Sequence, residues 1–135
     1  MNSITRILVT GGFGMVGSYV KKVFNDAECI LTDLADLDIR NRDSVMIAIG
    51  KTSPDLVLHL AAATDVDRCE TDRDWAYGVN VTGTENVVLA CKNNGTKLIF
   101  LSSAAIFDGS KSLPYRETDK TSPLNFYGKT KLEAE

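Results

Sequence analysis

Eight residues near the amino terminus constrain this chain more than any other stretch. Thr10-Gly11-Gly12-Phe13-Gly14-Met15-Val16-Gly17 follows the apolar, β-branched run Arg6-Ile7-Leu8-Val9-Thr10. Beyond it, Met15, Val16, Tyr19, Val20 and Val23 recur at helical spacing, which predicts a helix over Met15 to Phe24. Strand, glycine loop and helix thus stand in immediate succession. Gly11, Gly14 and Gly17 are spaced for three separate tasks: a tight turn, close approach of backbone to a pyrophosphate, and close packing of helix on sheet. The helix start adds free N–H groups and the positive end of a dipole. The segment reads as a dinucleotide-binding loop, with Gly11, Phe13, Gly14, Met15, Val16 and Gly17 against the cofactor.

Strand and helix patterns alternate through the rest of the chain. Cys29-Ile30-Leu31, Leu56-Val57-Leu58-His59-Leu60 and Lys97-Leu98-Ile99-Phe100-Leu101 read as buried strands, with Leu37-Asp38-Ile39 as a short extended vestige. A helix over Val45, Met46 and Ile49, capped by Asn41 or Asp43, is expected to stop at Gly50 and Pro54. A long helical stretch spans roughly Trp75 to Lys92 and closes at Asn93-Asn94-Gly95, and a last helix begins at Asn125 or Phe126. Continuous apolar strands separated by helices mean an α/β fold: a Rossmann-like, doubly wound parallel sheet forming one NAD(P)-binding domain over residues 1–135. The last helix ends about two turns in with no strand after it, so the sheet is expected to be incomplete at its carboxyl end. A chain of 135 residues suits one domain.

Composition excludes several classes of function. With 15 Lys+Arg against 18 Asp+Glu, the net charge of −3 offers no footprint for nucleic acid or an anionic membrane. No apolar run approaches the ~20 residues that span a bilayer, and a reduced, cytoplasmic setting is expected. Cys29, Cys69 and Cys91 lack metal-ligand spacing and His59 stands alone, so no metal site is expected.

Two further groups carry chemistry. Asp33, 22 residues after Gly11 at the end of the second strand, can accept from the adenosine ribose and repels a 2′-phosphate. It favours NAD(H), with NADP(H) still admissible. Tyr127 and Lys131 share one helix face at i, i+4, and Ser103 ends the last strand, where ligands of open α/β sheets bind. A free phenol titrates near ~10, too high for efficient proton exchange at neutral pH. A neighbouring ammonium lowers it, and a serine hydroxyl can hold the substrate oxygen beside the phenol.

These motifs, with Pro54-Asp55-Leu56-Val57, Val66-Asp67-Arg68-Cys69-Glu70, Val79-Asn80-Val81-Thr82-Gly83-Thr84, Phe107-Asp108-Gly109 and Pro123-Leu124-Asn125-Phe126-Tyr127-Gly128-Lys129-Thr130-Lys131, resemble the extended short-chain dehydrogenase/reductases, closest to the dTDP-4-dehydrorhamnose reductase group. The resemblance covers essentially the whole chain, as the amino-terminal part of a longer enzyme. It implies hydride transfer from a reduced nicotinamide to C4 of a nucleotide-linked 4-keto sugar. Ser103, Tyr127 and Lys131 are then catalytic: Tyr127 supplies the proton, Lys131 binds the nicotinamide ribose and tunes Tyr127, and Ser103 orients the carbonyl. Asp38 and Ile39 would meet the adenine, Ala61, Ala62 and Thr64 would line the cofactor, and Asn80 would sit near the nicotinamide. A homodimer is compatible with this reading.

The chain departs from that group at one place. Ala104 and Ala105 stand where such reductases usually carry an acid and an aromatic, and the block then looks more like a sugar epimerase. The same alanines speak against a 4,6-dehydratase. An epimerase using the same three residues, or a non-catalytic regulatory or scaffold subunit, are the alternatives. The isolated chain is expected to show no turnover, because the resemblance assigns the sugar pocket to a further lobe. His59 reads as a hydrogen-bonded structural histidine, Trp75 and Tyr77 as packing residues, and the acid-rich segment Asp65 to Asp74 as a solvated loop and helix start. The long loop Asp108 to Thr121 is expected to border the substrate cleft.

Overall fold

A computed structural model describes residues 4–135. Its centre is a four-stranded, all-parallel sheet in the order β2-β1-β3-β4, with β1 Arg6–Thr10, β2 Glu28–Thr32, β3 Leu56–His59 and β4 Lys97–Phe100. Strand β1 lies in the middle because it is apolar on both faces: Ile7, Leu8 and Val9 are completely buried. Burying each such side chain contributes about 1.5–3 kcal/mol. From β1 the chain steps to β2 on one side, then returns across to β3 on the other. That reversal opens a crevice beyond the carboxyl ends of β1 and β3.

The two faces of the sheet are covered unequally. Leu8, paired with Ile30 and Val57, shares one face with Leu98. Helices α2 (Arg42–Thr52) and α5 (Gly83–Asn94) close that face with buried Val45, Ile49, Val87 and Ala90. Ile7, Val9 and Leu56 occupy the other, where Val20 of the single-turn α1 (Val20–Val23) is the buried helical partner. Ile99 and Leu101 remain about half exposed on that side.

Several expected boundaries shift. The helix expected over Met15 to Phe24 shrinks to a 3-10 turn, Gly17–Tyr19, followed by α1. Met15, Val16, Tyr19 and Val23 are exposed, and without burial a short helix gains little that offsets its nucleation cost. Leu37-Asp38-Ile39 forms no strand. The chain turns there, with Asp36 and Leu37 N–H donating to the Asp33 carbonyl, while Leu37 and Ile39 fill the core beneath α2 and α5. Helix α2 is capped by Asn41, runs through Gly50, and ends at Ser53 (φ 42°) before Pro54. The long helical stretch is three pieces: α4 (Arg73–Tyr77), a π-helical turn Gly78–Thr82, and α5. Between β3 and α4 lies α3 (Val66–Thr71), and α6 (Phe126–Ala134) closes the order.

Among the described residues no helix is long and apolar enough to cross a membrane, and no cluster of three or more metal-ligating side chains occurs.

Candidate dinucleotide-binding site

The crevice is a cleft of about 490 Å³. Gly11 follows β1 with φ +67°, a conformation L side chains rarely adopt, and a Cβ there would stand 2.7 Å from the Ala61 nitrogen. At Gly17 a Cβ would meet the Gly11 carbonyl oxygen at 2.5 Å. These two contacts let the loop fold onto β3 and onto itself, leaving backbone as the cleft floor. Gly11, Gly14, Met15, Val16 and Gly17 line it from the loop; Asp33, Asp38 and Ile39 from the segment after β2; Ala61, Ala62 and Thr64 from the segment after β3. Phe13 does not join them: its side chain is 65% exposed and stands outside the lining.

The β2 end of the cleft is polar and open. The Asp33 carboxylate accepts from the Leu34 N–H at 2.8 Å. Asp38 is gripped by Arg40 through Nε–Oδ1 at 2.9 Å and Nη2–Oδ2 at 2.7 Å, so the guanidinium holds its carboxyl below the usual carboxylate range. Among the described residues, Arg40 is the one cation of the lining.

The opposite end is buried and built from long-range contacts. Asn80, 1% exposed, accepts from the Ala63 N–H at 2.7 Å and donates to Thr130 Oγ1 at 2.9 Å. It therefore stands behind the lining. Lys131 is 3% exposed; its ammonium donates to the Leu101 carbonyl at 2.8 Å and lies 4.1 Å from the Phe100 ring centroid. Burial pulls its pKa down to about 8. Leu101 lines the cleft, which puts Lys131 one shell behind the wall. Tyr127 packs on the Ala63, Cys69 and Ala76 cluster, and among the described residues its hydroxyl and Lys131 are not hydrogen-bonded to each other.

Helix α6, which carries both, is tied at three levels to α3, the π-helical turn and α4. Its first N–H, from Phe126, donates to Glu70 at 2.6 Å; Thr130 meets Asn80 at mid-length; Glu133 accepts from the Tyr77 hydroxyl at 2.7 Å. Ser103 caps the 3-10 turn Ala104–Ile106 through the Ala105 N–H at 3.2 Å. That turn abuts α6 so closely that a Cβ on Gly128 would stand 2.2 Å from the Ala105 carbonyl oxygen. Ser103 and Tyr127 thus belong to one packed unit.

Sequence reading missed Leu34, Leu37, Arg40, Leu60, Ala63, Trp75, Val79 and Leu101 in the cleft lining. Leu34, Leu37, Arg40, Leu60 and Ala63 were legible as near neighbours of Asp33, Asp38, Ile39, Ala61 and Ala62; Trp75, Val79 and Leu101 arrive by packing and carry no local signal. Trp75, read as a packing residue, packs on the Ala63, Cys69 and Ala76 cluster and also lines the cleft, with the Arg68 guanidinium 3.8 Å from its ring centroid. Tyr77 does pack, against α6. Asp65 and Asp72 cap α3 and α4, and Arg68 and Arg73 pair with acids of the same segment. The 108–121 loop is braced within itself: Phe107 stacks on Tyr115, whose hydroxyl donates to Asp108 at 2.8 Å. With the Ser110 bonds, that contact holds the Asp108 pKa down at about 2.

A parallel sheet with a glycine-loop cleft at its strand-order reversal defines a Rossmann-like dinucleotide fold. The family model described as "RmlD substrate binding domain" matches residues 5–135, and the chain belongs to that family. The dTDP-4-dehydrorhamnose reductase of Aggregatibacter actinomycetemcomitans is 36% identical over 98% of this chain, which spans 46% of that protein. The crystal structure of dTDP-4-dehydrorhamnose reductase from Bacillus anthracis in complex with NADP superposes with a TM-score of 0.93 at 31% identity, over 99% of this chain and 49% of its own. UDP-glucose 4-epimerase from Brucella ovis, in complex with NAD, gives 0.88 at 29% identity, over 96% and 45%. The chain therefore spans about half the length of the relatives it matches.

Proposed function

We propose that this chain binds a nicotinamide dinucleotide in its cleft and forms the cofactor-binding half of an NAD(P)H-dependent reductase of a nucleotide-linked 4-keto sugar. The observation that carries this reading is the convergence of eleven residues, from three separated segments, on one cleft whose floor is glycine backbone. The loop N–H groups and the turn that follows suit a diphosphate. The Asp33 carboxylate suits ribose hydroxyls and opposes a 2′-phosphate, so NADH is the preferred cofactor.

A reduced nicotinamide, when bound, would supply the hydride to the carbonyl carbon, C4 of the sugar. The Tyr127 hydroxyl would give its proton to the carbonyl oxygen as that oxygen gains negative charge. The Lys131 ammonium, on the next turn of α6 and bonded to the Leu101 carbonyl, would stabilise the tyrosinate left behind. The Ser103 hydroxyl donates to the same carbonyl oxygen and orients it. Asn80 holds the wall and α6 together and touches no reacting atom. The three ties hold α6, with Tyr127 packed on the Ala63 cluster, in one place, and fixed placement of this kind is what such a proton transfer requires.

The test is Tyr127→Phe in this chain joined to the remaining half that its relatives carry. The expected result is a 10²–10⁴-fold loss of kcat with cofactor affinity kept. A loss below about threefold would contradict the assignment. Ala104 and Ala105 favour a second reading, epimerisation, in which the nicotinamide is oxidised and reduced again within one turnover. Cofactor that stays bound through purification marks an epimerase, and cofactor that exchanges marks a reductase.

A further inference from the structure

His59 ends β3 directly before the cleft-lining segment Leu60-Ala61-Ala62, and the proposed reaction does not use it. It is 1% exposed, as are Thr10, Asn80 and Thr130, with Thr84 at 2%. Its ring is bonded at both nitrogens: Nδ1 to Thr10 Oγ1 at 2.6 Å and Nε2 to Thr84 Oγ1 at 3.0 Å. The neighbours fix which nitrogen holds the proton. Thr84 donates its only hydroxyl proton to the Asn80 carbonyl at 2.7 Å, so it must accept from His59 Nε2–H. Thr10 Oγ1 accepts from the Ala61 N–H at 3.3 Å, and its own proton goes to Nδ1. A second ring proton would place an unpaired cation in the core; burial and the nearby Lys131 charge lower the His59 pKa to about 4.

The hydrogen bonds then run in one direction: Ala61 N–H to Thr10, Thr10 to His59, His59 to Thr84, Thr84 to the Asn80 carbonyl. From the same Asn80, Nδ2 donates to Thr130, and Thr130 donates to the Tyr127 carbonyl at 2.8 Å. Among the described residues no buried side-chain nitrogen or oxygen lacks a partner, so the chain has no slack donor that lets one link turn round. One end of this relay is the cleft floor behind Gly11; the other is the backbone of the residue proposed to give the proton.

We propose that His59, held as its neutral Nε2–H tautomer, is a positioning residue that locks the floor of the dinucleotide cleft and helix α6 into a single register. This rests on the dinucleotide reading above.

The experiment pairs the His59 tautomer, read from long-range ¹H–¹⁵N spectra of this chain, with NADH affinity read from Trp75 fluorescence. Thr84→Val keeps the side-chain shape and removes the acceptor of Nε2–H; Thr84→Ser keeps the hydroxyl. The unaltered chain is expected to show the Nε2–H tautomer. In T84V the proton moves toward Nδ1 and the Kd for NADH rises about tenfold, while T84S retains both properties. An Nδ1–H tautomer in the unaltered chain overturns the proposal, and it can be read even where T84V fails to fold. A folded T84V with unchanged NADH affinity overturns it as well. Absence of NADH binding by the unaltered chain overturns the dinucleotide reading and this proposal with it, whereas unchanged affinity in T84V overturns this proposal alone.

Discussion

The two ends of the cleft are built on opposite principles. At the β2 end, Asp33, Asp38 and Arg40 come from one short stretch of chain and stand in or near water, and Asp38 and Arg40 hold each other by charge. At the α6 end, His59, Asn80, Thr130 and Lys131 come from three elements, are almost wholly buried, and are held mainly through neutral, directed hydrogen bonds. A solvated ion pair such as Arg40–Asp38 contributes about 0–1 kcal/mol and yields easily to an incoming ligand. A buried polar network loses the full desolvation cost of each orphaned group when one member is removed, about 1–3 kcal/mol apiece. The difference teaches where adaptability and rigidity lie: on the proposed function, the first end can rearrange around an adenosine, whereas the second must hold reacting groups still.

The largest expected effect separates the ends by backbone contact. Gly17→Ala forces a methyl to 2.5 Å from a backbone oxygen within the loop, and NADH binding is expected to fall below detection. Gly128→Ala places its methyl against Ala105 at the other end; it should destabilise the chain by about 1–3 kcal/mol while NADH affinity drops far less than in G17A. Binding titrations and thermal melts on the two variants check this. Equal losses of affinity would erase the distinction between the ends.

A smaller effect appears in the pH dependence of stability. His59 titrates at about 4 in the folded chain against an ordinary 6.5, through burial and then the Lys131 charge. Between those values the unfolded chain binds a proton that the folded chain refuses, so stability rises with pH across that window. Acidification from pH 7 to pH 4 is expected to remove roughly 3 kcal/mol on this account. Chemical denaturation of the chain and of His59→Gln at several pH values measures it, and the variant should lose the slope. A slope that persists in the variant would assign the effect to other groups.

The same contrast explains what was legible in the sequence. The glycine loop, Asp33 and the strand-end alanines were readable because their chemistry is local: a turn, a strand end and fixed offsets define them. The i, i+4 spacing of Tyr127 and Lys131 was equally plain. What surrounds them was not. That Lys131 is buried against the Leu101 carbonyl follows from how α6 docks on Glu70, Asn80 and Tyr77, all more than 45 residues away in sequence. Trp75 was read as packing, and it does pack on the Ala63, Cys69 and Ala76 cluster; that the same residue also lines the cleft carried no local signal. The overlong first helix fails for a related reason: Met15, Val16, Tyr19 and Val23 have the right period, but only Val20 finds a buried place on the sheet.

Trp75, the single tryptophan of the chain, lines the cleft and offers a direct reading of its occupancy. Titrating the chain with NADH while exciting the indole should quench its emission along a saturable curve, with energy passing to the dihydronicotinamide. Emission that stays flat to millimolar NADH, from a folded chain, would contradict the assignment of this cleft to a nicotinamide dinucleotide.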